Sequence, residues 1–325
     1  MERSPNAPAG GPRPLRRWPA LLAACVAGAA GCATTPRPAQ SPRLIACSYA
    51  TTMGTDRPPE QREFPASYWF ALLLAGYQSA GTFPAPVTDC GGRQVRLESD
   101  GCGAQPPAPA VPVERLSDRD LVIAQASETT RLVWVMAARA PDGQAEGPVA
   151  LVDVTPRGLI VRAIGVLRGY SERVALRLAQ VGSTTLLVAE GERCGPDGCV
   201  RGVRFIPRNG DQFVASTIRD DRGDCLGSTF VILTGSGVAP GSADRYHLET
   251  SVSFGTDDIT LREQLTISPS PGRGGNRAPG FVRQVRSERR LRVQAGAIVA
   301  SAADLLTRWR EHASEGPEPA TAGSN

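Results

Sequence analysis

The chain contains no lysine, so all 36 of its basic side chains are arginine. That excludes a Walker-type phosphate loop and Schiff-base chemistry, both of which need a lysine amine. Histidine is almost missing as well, with only His247 and His312 among 325 residues. A zinc knuckle on a cysteine pair would need two further soft or imidazole ligands, and acid–base catalysis by histidine has two candidates at most. No metal and no organic cofactor is expected from this inventory. Aromatic residues make up 5%, so the core has to be built from Val, Leu, Ile and Ala. The formal net charge is +4, but Arg3, Arg13, Arg16 and Arg17 against Glu2 account for three of those charges within the first 31 residues. The remainder is close to neutral, which argues against a nucleic-acid partner.

No apolar run is long enough to span a bilayer comfortably, which takes roughly 20 residues. The N-terminal run from Trp18 to Gly31 follows a basic stretch and ends in small residues, the order of an export signal over residues 1–31. Its end, Ala29-Ala30-Gly31-Cys32, resembles the lipobox of bacterial lipoproteins, departing from it at Ala29, where Leu is usual. The resemblance implies removal of the signal, diacylation of Cys32, and a membrane partner engaged through that anchor. Leu22-Ala23-Ala24-Cys25 fits the box more closely but leaves an apolar core of only Trp18 to Ala24 with Pro19 inside, so Cys32 is preferred. Ordinary cleavage near Ala27-Gly28-Ala29 would instead leave a soluble periplasmic or secreted chain. Ala33 after the cysteine resembles lipoproteins sorted to the outer membrane, and an exported protein held at the outer membrane or cell surface is the expectation.

Composition divides the rest. Residues 32–43 are Pro-rich and polar and read as a tether, and 44–102 form a small N-terminal region. A second Pro-rich break at 103–112 precedes a long domain over 113–312, and 313–325 read as a disordered tail. Within the N-terminal region, residues Ala66 to Ala75 are apolar all round at the length of a buried core helix. Between residues 120 and 293, twelve short runs rich in Val, Leu, Ile and Thr are separated by Gly, Pro, Asp and Asn. This predicts a mainly β chain built as an antiparallel multi-hairpin sheet, a sandwich or an open barrel, with a partial propeller as second choice. Tyr246, Leu248, Val252 and Phe254 alternate with His247, Glu249, Ser251 and Ser253, while Ile259, Leu261, Leu265 and Ile267 alternate with Thr260, Arg262, Gln264 and Thr266. Gly255-Thr256-Asp257-Asp258 between them reads as a hairpin turn. A C-terminal helix is expected with Ser301 as its cap, Asp304 at the third helical position, and Ala302, Leu305, Leu306 and Trp309 on the packed face.

With Cys32 acylated and the signal removed, six cysteines remain, an even number in an exported chain, and disulfides are the expectation. Cys194 and Cys199 flank Gly-Pro-Asp-Gly and read as a stapled turn. Cys90 and Cys102 flank a short loop and are expected to pair, which leaves Cys47 with Cys225 by elimination. Chain-entropy closure gives about 2, 3 and 5 kcal/mol for 194–199, 90–102 and 47–225 in that order.

The candidate sites are thin. Ser79-Ala80-Gly81 lacks the leading Gly and the preceding strand of a nucleophile elbow. His247 stands beside Glu249 on an outward strand face, and Glu190 and Glu192 share a face as a conceivable carboxylate pair. Asp220, Asp221 and Asp224 read as an Asp-rich turn without calcium-loop spacing. Seven arginines between Arg273 and Arg292 face one acid, Glu288, and suit a charged sheet edge or contact with anionic head groups or cell-wall polymers. No nucleophile, base and acid can be placed together. The expectation is a lipid-anchored envelope protein that binds or scaffolds and is not an enzyme, with an envelope protein or cell-wall polymer as partner. An envelope hydrolase is the alternative.

Overall fold

The alternating pattern becomes strands almost run for run. The computed structural model describes residues 48–50, 63–74, 77, 102, 109–195, 198–214, 216–238, 244–269, 282–294 and 297–314. The signal segment, Cys32, the tether, Cys47, Cys90, Ser79 and the tail beyond Ser314 lie outside the described residues.

In chain order the elements are β1 (Ser48–Ala50), α1 (Ala66–Leu73), β2 (Val111–Pro112), β3 (Leu121–Gln125), β4 (Thr130–Val135), β5 (Ala138–Arg139), β6 (Gln144–Thr155) and β7 (Gly158–Tyr170). They continue with β8 (Glu172–Val181), β9 (Thr184–Gly195), β10 (Gly198–Asn209), β11 (Gln212–Phe213), β12 (Thr217–Arg219), β13 (Cys225–Ser228) and β14 (Phe230–Val238). The last are β15 (Arg245–Phe254), β16 (Asp258–Ser268), β17 (Arg283–Gln294), β18 (Ala297–Ala300) and α2 (Leu305–Ser314). The protein is therefore mainly β, an open and largely antiparallel sheet with two helices among the described residues. Its strands pair in continuous ladders, not in separate four-stranded blades, so the propeller alternative is not realised.

Strand alternation sorts side chains into layers. On β4, Val133 and Val135 pack with Trp69, Phe70 and Leu73 of α1, while Leu132 and Trp134 on the other face meet Leu176, Leu187 and Ile206. Each buried large side chain of α1 is worth about 1.5–3 kcal/mol of apolar transfer. The β9–β10 hairpin divides the next two layers in the same way, with Leu187 and Ile206 on one side and Val188 and Phe205 on the other. Val188 and Phe205 share a core with Ile259, Leu261, Leu291 and Ile298, several strands away along the ladder β8–β9–β10–β14–β15–β16–β17–β18. Strands so far apart can share one core only if the sheet curls over it. Arg177 of β8 accordingly lies 4.6 Å from the ring centroid of Phe254 on β15. The β8–β9 turn touches the β15–β16 turn through the Gly182 N–H, which donates to the Thr256 carbonyl at 2.6 Å. Gly182 has φ +57°, a conformation a two-residue turn takes cheaply only with glycine.

Two expectations need correcting. Cys102 is bonded to Cys225, with Cα atoms 5.3 Å apart and a sequence separation of 123, so neither Cys90–Cys102 nor Cys47–Cys225 forms. Short-loop closure favours the nearer cysteine, but the fold decides which sulfurs meet, and it carries Cys225, at the start of β13, to the segment before β2. A long-range bridge still ties the N-terminal region to the β domain, through Cys102 and not Cys47. The second correction is at α2. Its cap is Asp304, whose Oδ1 accepts the Thr307 N–H at 2.8 Å and whose Oδ2 accepts the Thr307 hydroxyl at 2.7 Å. Ala297–Ala300 is held by β17 as a strand, so the chain needs residues 301–304 to leave the sheet before a helix can start. Leu305 and Leu306, with Trp309 partly buried beside them, pack on Leu248, Leu265 and Ile267 as expected.

Candidate functional site

The outer face of β14–β17 carries the polar halves of the alternating strands in cross-strand rows. Register aligns Thr234, Glu249, Gln264 and Arg286 in one row and Ser251, Arg262 and Glu288 in the next. Rows two residues apart on a strand stand about 7 Å from one another. A groove of about 570 Å³ is lined by both rows, by Thr250, Glu263 and Ser287 of the strand positions between them, and by Leu233. Its walls contain no aromatic ring. Arg262 Nε donates to Glu288 at 3.1 Å, whereas Arg286 donates to the amide oxygens of Gln264 and Gln284 at 3.0 and 3.4 Å. Arg286 is thus held by neutral acceptors, and neither of these bonds pairs it with a carboxylate.

One wall continues into a line of three polar side chains. Ser236 is the cross-strand partner of His247, and its Oγ lies 2.8 Å from Nδ1. His247 Nε2 is 3.3 Å from Glu249 Oε1, with both side chains at least half exposed. With the proton on Nε2, the Ser236 hydroxyl donates to Nδ1 and the ring donates to Glu249. His247 and Glu249 therefore stand together as the alternation predicts. Ser236 was missed because only the β14–β15 register brings it there.

The opposite face of the same strands buries an ion pair. Glu263 and Arg289 are almost completely covered, with Arg289 Nη2 donating to Glu263 Oε1 at 3.1 Å. The other oxygen of Glu263 accepts the Leu305 N–H at the start of α2, at 3.2 Å. Burial pushes the Glu263 carboxyl above its ordinary value; the Arg289 guanidinium pulls it back only in part, and Asp304 adds to the rise. Thr250 Oγ1, Arg289 Nε and Arg308 Nε are buried beside it without hydrogen-bond partners. The sequence reading set Ile259, Leu261, Leu265 and Ile267 on one face and passed over Glu263. Its odd number among them was the available signal.

At the tip of β9–β10 the stapled turn is present: Cys194 faces Cys199 across the ladder and is bonded to it. Glu190 and Glu192 are engaged by arginines, Glu190 by Arg201 at 2.7 Å and Arg177 at 3.4 Å, and Glu192 by Arg173 at 2.9 Å. They act as the structural charges of a rim. Asp220 closes an Asx turn by accepting the N–H groups of Arg222 and Asp224 at 2.9 and 2.8 Å, and Asp221 pairs with Arg292. Of the β17 arginines, Arg283, Arg286, Arg290 and Arg292 face solvent while Arg289 is buried.

No family model, no curated protein and no solved structure matches the chain. Function therefore has to be read from the molecule itself. The two disulfides among the described residues belong to an oxidising compartment, extracellular or periplasmic. Among the described residues no helix is long and apolar enough to cross a membrane.

Proposed function

We propose that the protein is a lipid-anchored bacterial envelope protein that binds a polar, carboxylate-bearing polymer or peptide along the outer groove of β14–β17. The observation that carries this is Arg286, a guanidinium held by two amides at the wall of a groove whose other cation, Arg262, is already paired with Glu288. A carboxylate entering there gains a charge-assisted bond without having to displace an existing ion pair. Co-sedimentation of the purified chain with isolated cell-wall sacculi tests it: binding is expected, and Arg286→Ala should weaken it at least about tenfold, the worth of one charge-assisted bond. Equal binding by the variant, or none by the parent, rejects the groove. The anchor is tested separately, since Cys32→Ala should leave the membrane fraction or remain unprocessed in a Gram-negative host.

The line Ser236–His247–Glu249 supports a second reading, an envelope hydrolase with Ser236 as nucleophile, His247 as base and Glu249 orienting the ring. Binding is preferred because these groups lie in open water on a flat strand face, where a developing charge meets bulk solvent and not fixed dipoles. Turnover of ester, glycoside, peptide or phosphoester substrates that His247→Ala abolishes would establish the hydrolase.

A further inference from the structure

The β9–β10 tip carries three groups able to ligate a soft metal once the bond between two of them is opened. Cys194 and Cys199 are directly opposite, and Glu192, two residues before Cys194, shares their strand face. One oxygen of Glu192 and the two sulfurs lie within 4.8 Å of one another. Zinc holds thiolates at about 2.3 Å and carboxylate oxygens at about 2.1 Å, so its ligand atoms sit roughly 3.5–4 Å apart, and the cluster needs only side-chain adjustment to reach that. Gly195 pairs with Gly198, so the ladder keeps both cysteines in place whether or not their sulfurs are joined. The four intervening residues fall within the spacing zinc sites use. Competing charge is modest: Arg201, opposite Glu192, is neutralised by Glu190, and the Arg173 that holds Glu192 is 81% exposed, a weak surface pair.

We propose that this tip is a redox-gated site for a thiophilic dication such as Zn²⁺, closed as a disulfide and open as two thiolates and one carboxylate. In the opening step a dithiol reductant of the thioredoxin-like class gives two electrons and two protons to the sulfur–sulfur bond. The protein gains two thiols and the reductant becomes a disulfide. Zn²⁺ then forms two bonds to sulfur and one to the Glu192 carboxylate, the two thiol protons leave to solvent, and water fills the fourth position. Both cysteines are exposed, which admits reductant and ion.

The test uses the full chain, reduced with a phosphine that is then removed without air, and titrated with Zn²⁺ and with Co²⁺, whose visible bands report tetrahedral thiolate ligation. The oxidised chain should take up no ion here and the reduced chain one, with uptake lost in Cys194→Ser/Cys199→Ser and weakened about tenfold or more in Glu192→Gln. Reduction also opens Cys102–Cys225 and could loosen the fold. Alkylation mapping therefore accompanies the titration: Zn²⁺ should shield Cys194 and Cys199 ahead of Cys102 and Cys225. Equal shielding of all four, uptake by the oxidised chain, or affinity unchanged in Glu192→Gln would overturn the proposal.

Discussion

Glu263 is a carboxylate buried at a cost. Taking a carboxylate and a guanidinium out of water is repaid only by good mutual geometry, and here Arg289 Nε is left without a partner. Removing one member leaves the other buried and uncompensated, so Arg289→Met should lower unfolding free energy by about 3–5 kcal/mol in urea titrations. Glu263→Met/Arg289→Met should recover most of that loss. The pH dependence follows from the direction of the shift. Because the folded chain raises the Glu263 carboxyl above its unfolded value, the stability it contributes is full below the ordinary carboxylate range, about pH 4, and is lost as pH rises through the raised value. Measured against Glu263→Gln, which cannot ionise, the parent should lose relative stability as pH rises above about 4, the ordinary carboxylate range; a difference that stays constant or grows in the parent's favour counts against the assignment.

Among the elements, α2 depends on its cap and its footing. Asp304 satisfies the Thr307 N–H and places a negative charge at the positive end of the helix, while Glu263 takes the Leu305 N–H. Asp304→Ala should cost about 1 kcal/mol, read as a shift of the urea midpoint with unchanged slope. A larger loss would mean that Leu248, Leu265 and Ile267 come uncovered with the helix. The strands themselves were legible, because period-two alternation marks both their existence and their inward faces. The apolar stretch from Gln212 to Ile218 holds two strands, β11 and β12, and β13 forms over Cys225–Ser228 where no apolar run stands. The break between β11 and β12 has a cause in packing: β11 lies parallel to β7, where a side chain on Gly165 would collide with the Phe213 backbone, and β12 moves on to pair with β13 and β18.

For the whole molecule, the Cys102–Cys225 bridge is a covalent tie between segments far apart in sequence. Closing a loop over a sequence separation of 123 should stabilise by up to about 5 kcal/mol, against about 2 for the five-residue separation of Cys194 and Cys199. Cys102→Ser/Cys225→Ser should therefore unfold at markedly lower urea than Cys194→Ser/Cys199→Ser. Non-reducing peptide mapping should recover the fragments around Cys102 and Cys225 joined; a Cys90–Cys102 fragment would refute the pairing.

Local chemistry in the sequence determined the β class, the hairpin turn at Gly255–Asp258, the apolar helix at Ala66 and the staple at Cys194 and Cys199, all of which depend on neighbours within a few residues. Tertiary structure alone decided the partner of Cys102, the burial of Glu263 against Arg289, the meeting of Ser236 with His247, and the groove lined by two rows of side chains. The physical reason is that alternation says which residues of one strand share a face, whereas which strand lies beside it, in what register, and how far the sheet curls are set by packing between segments far apart in the chain.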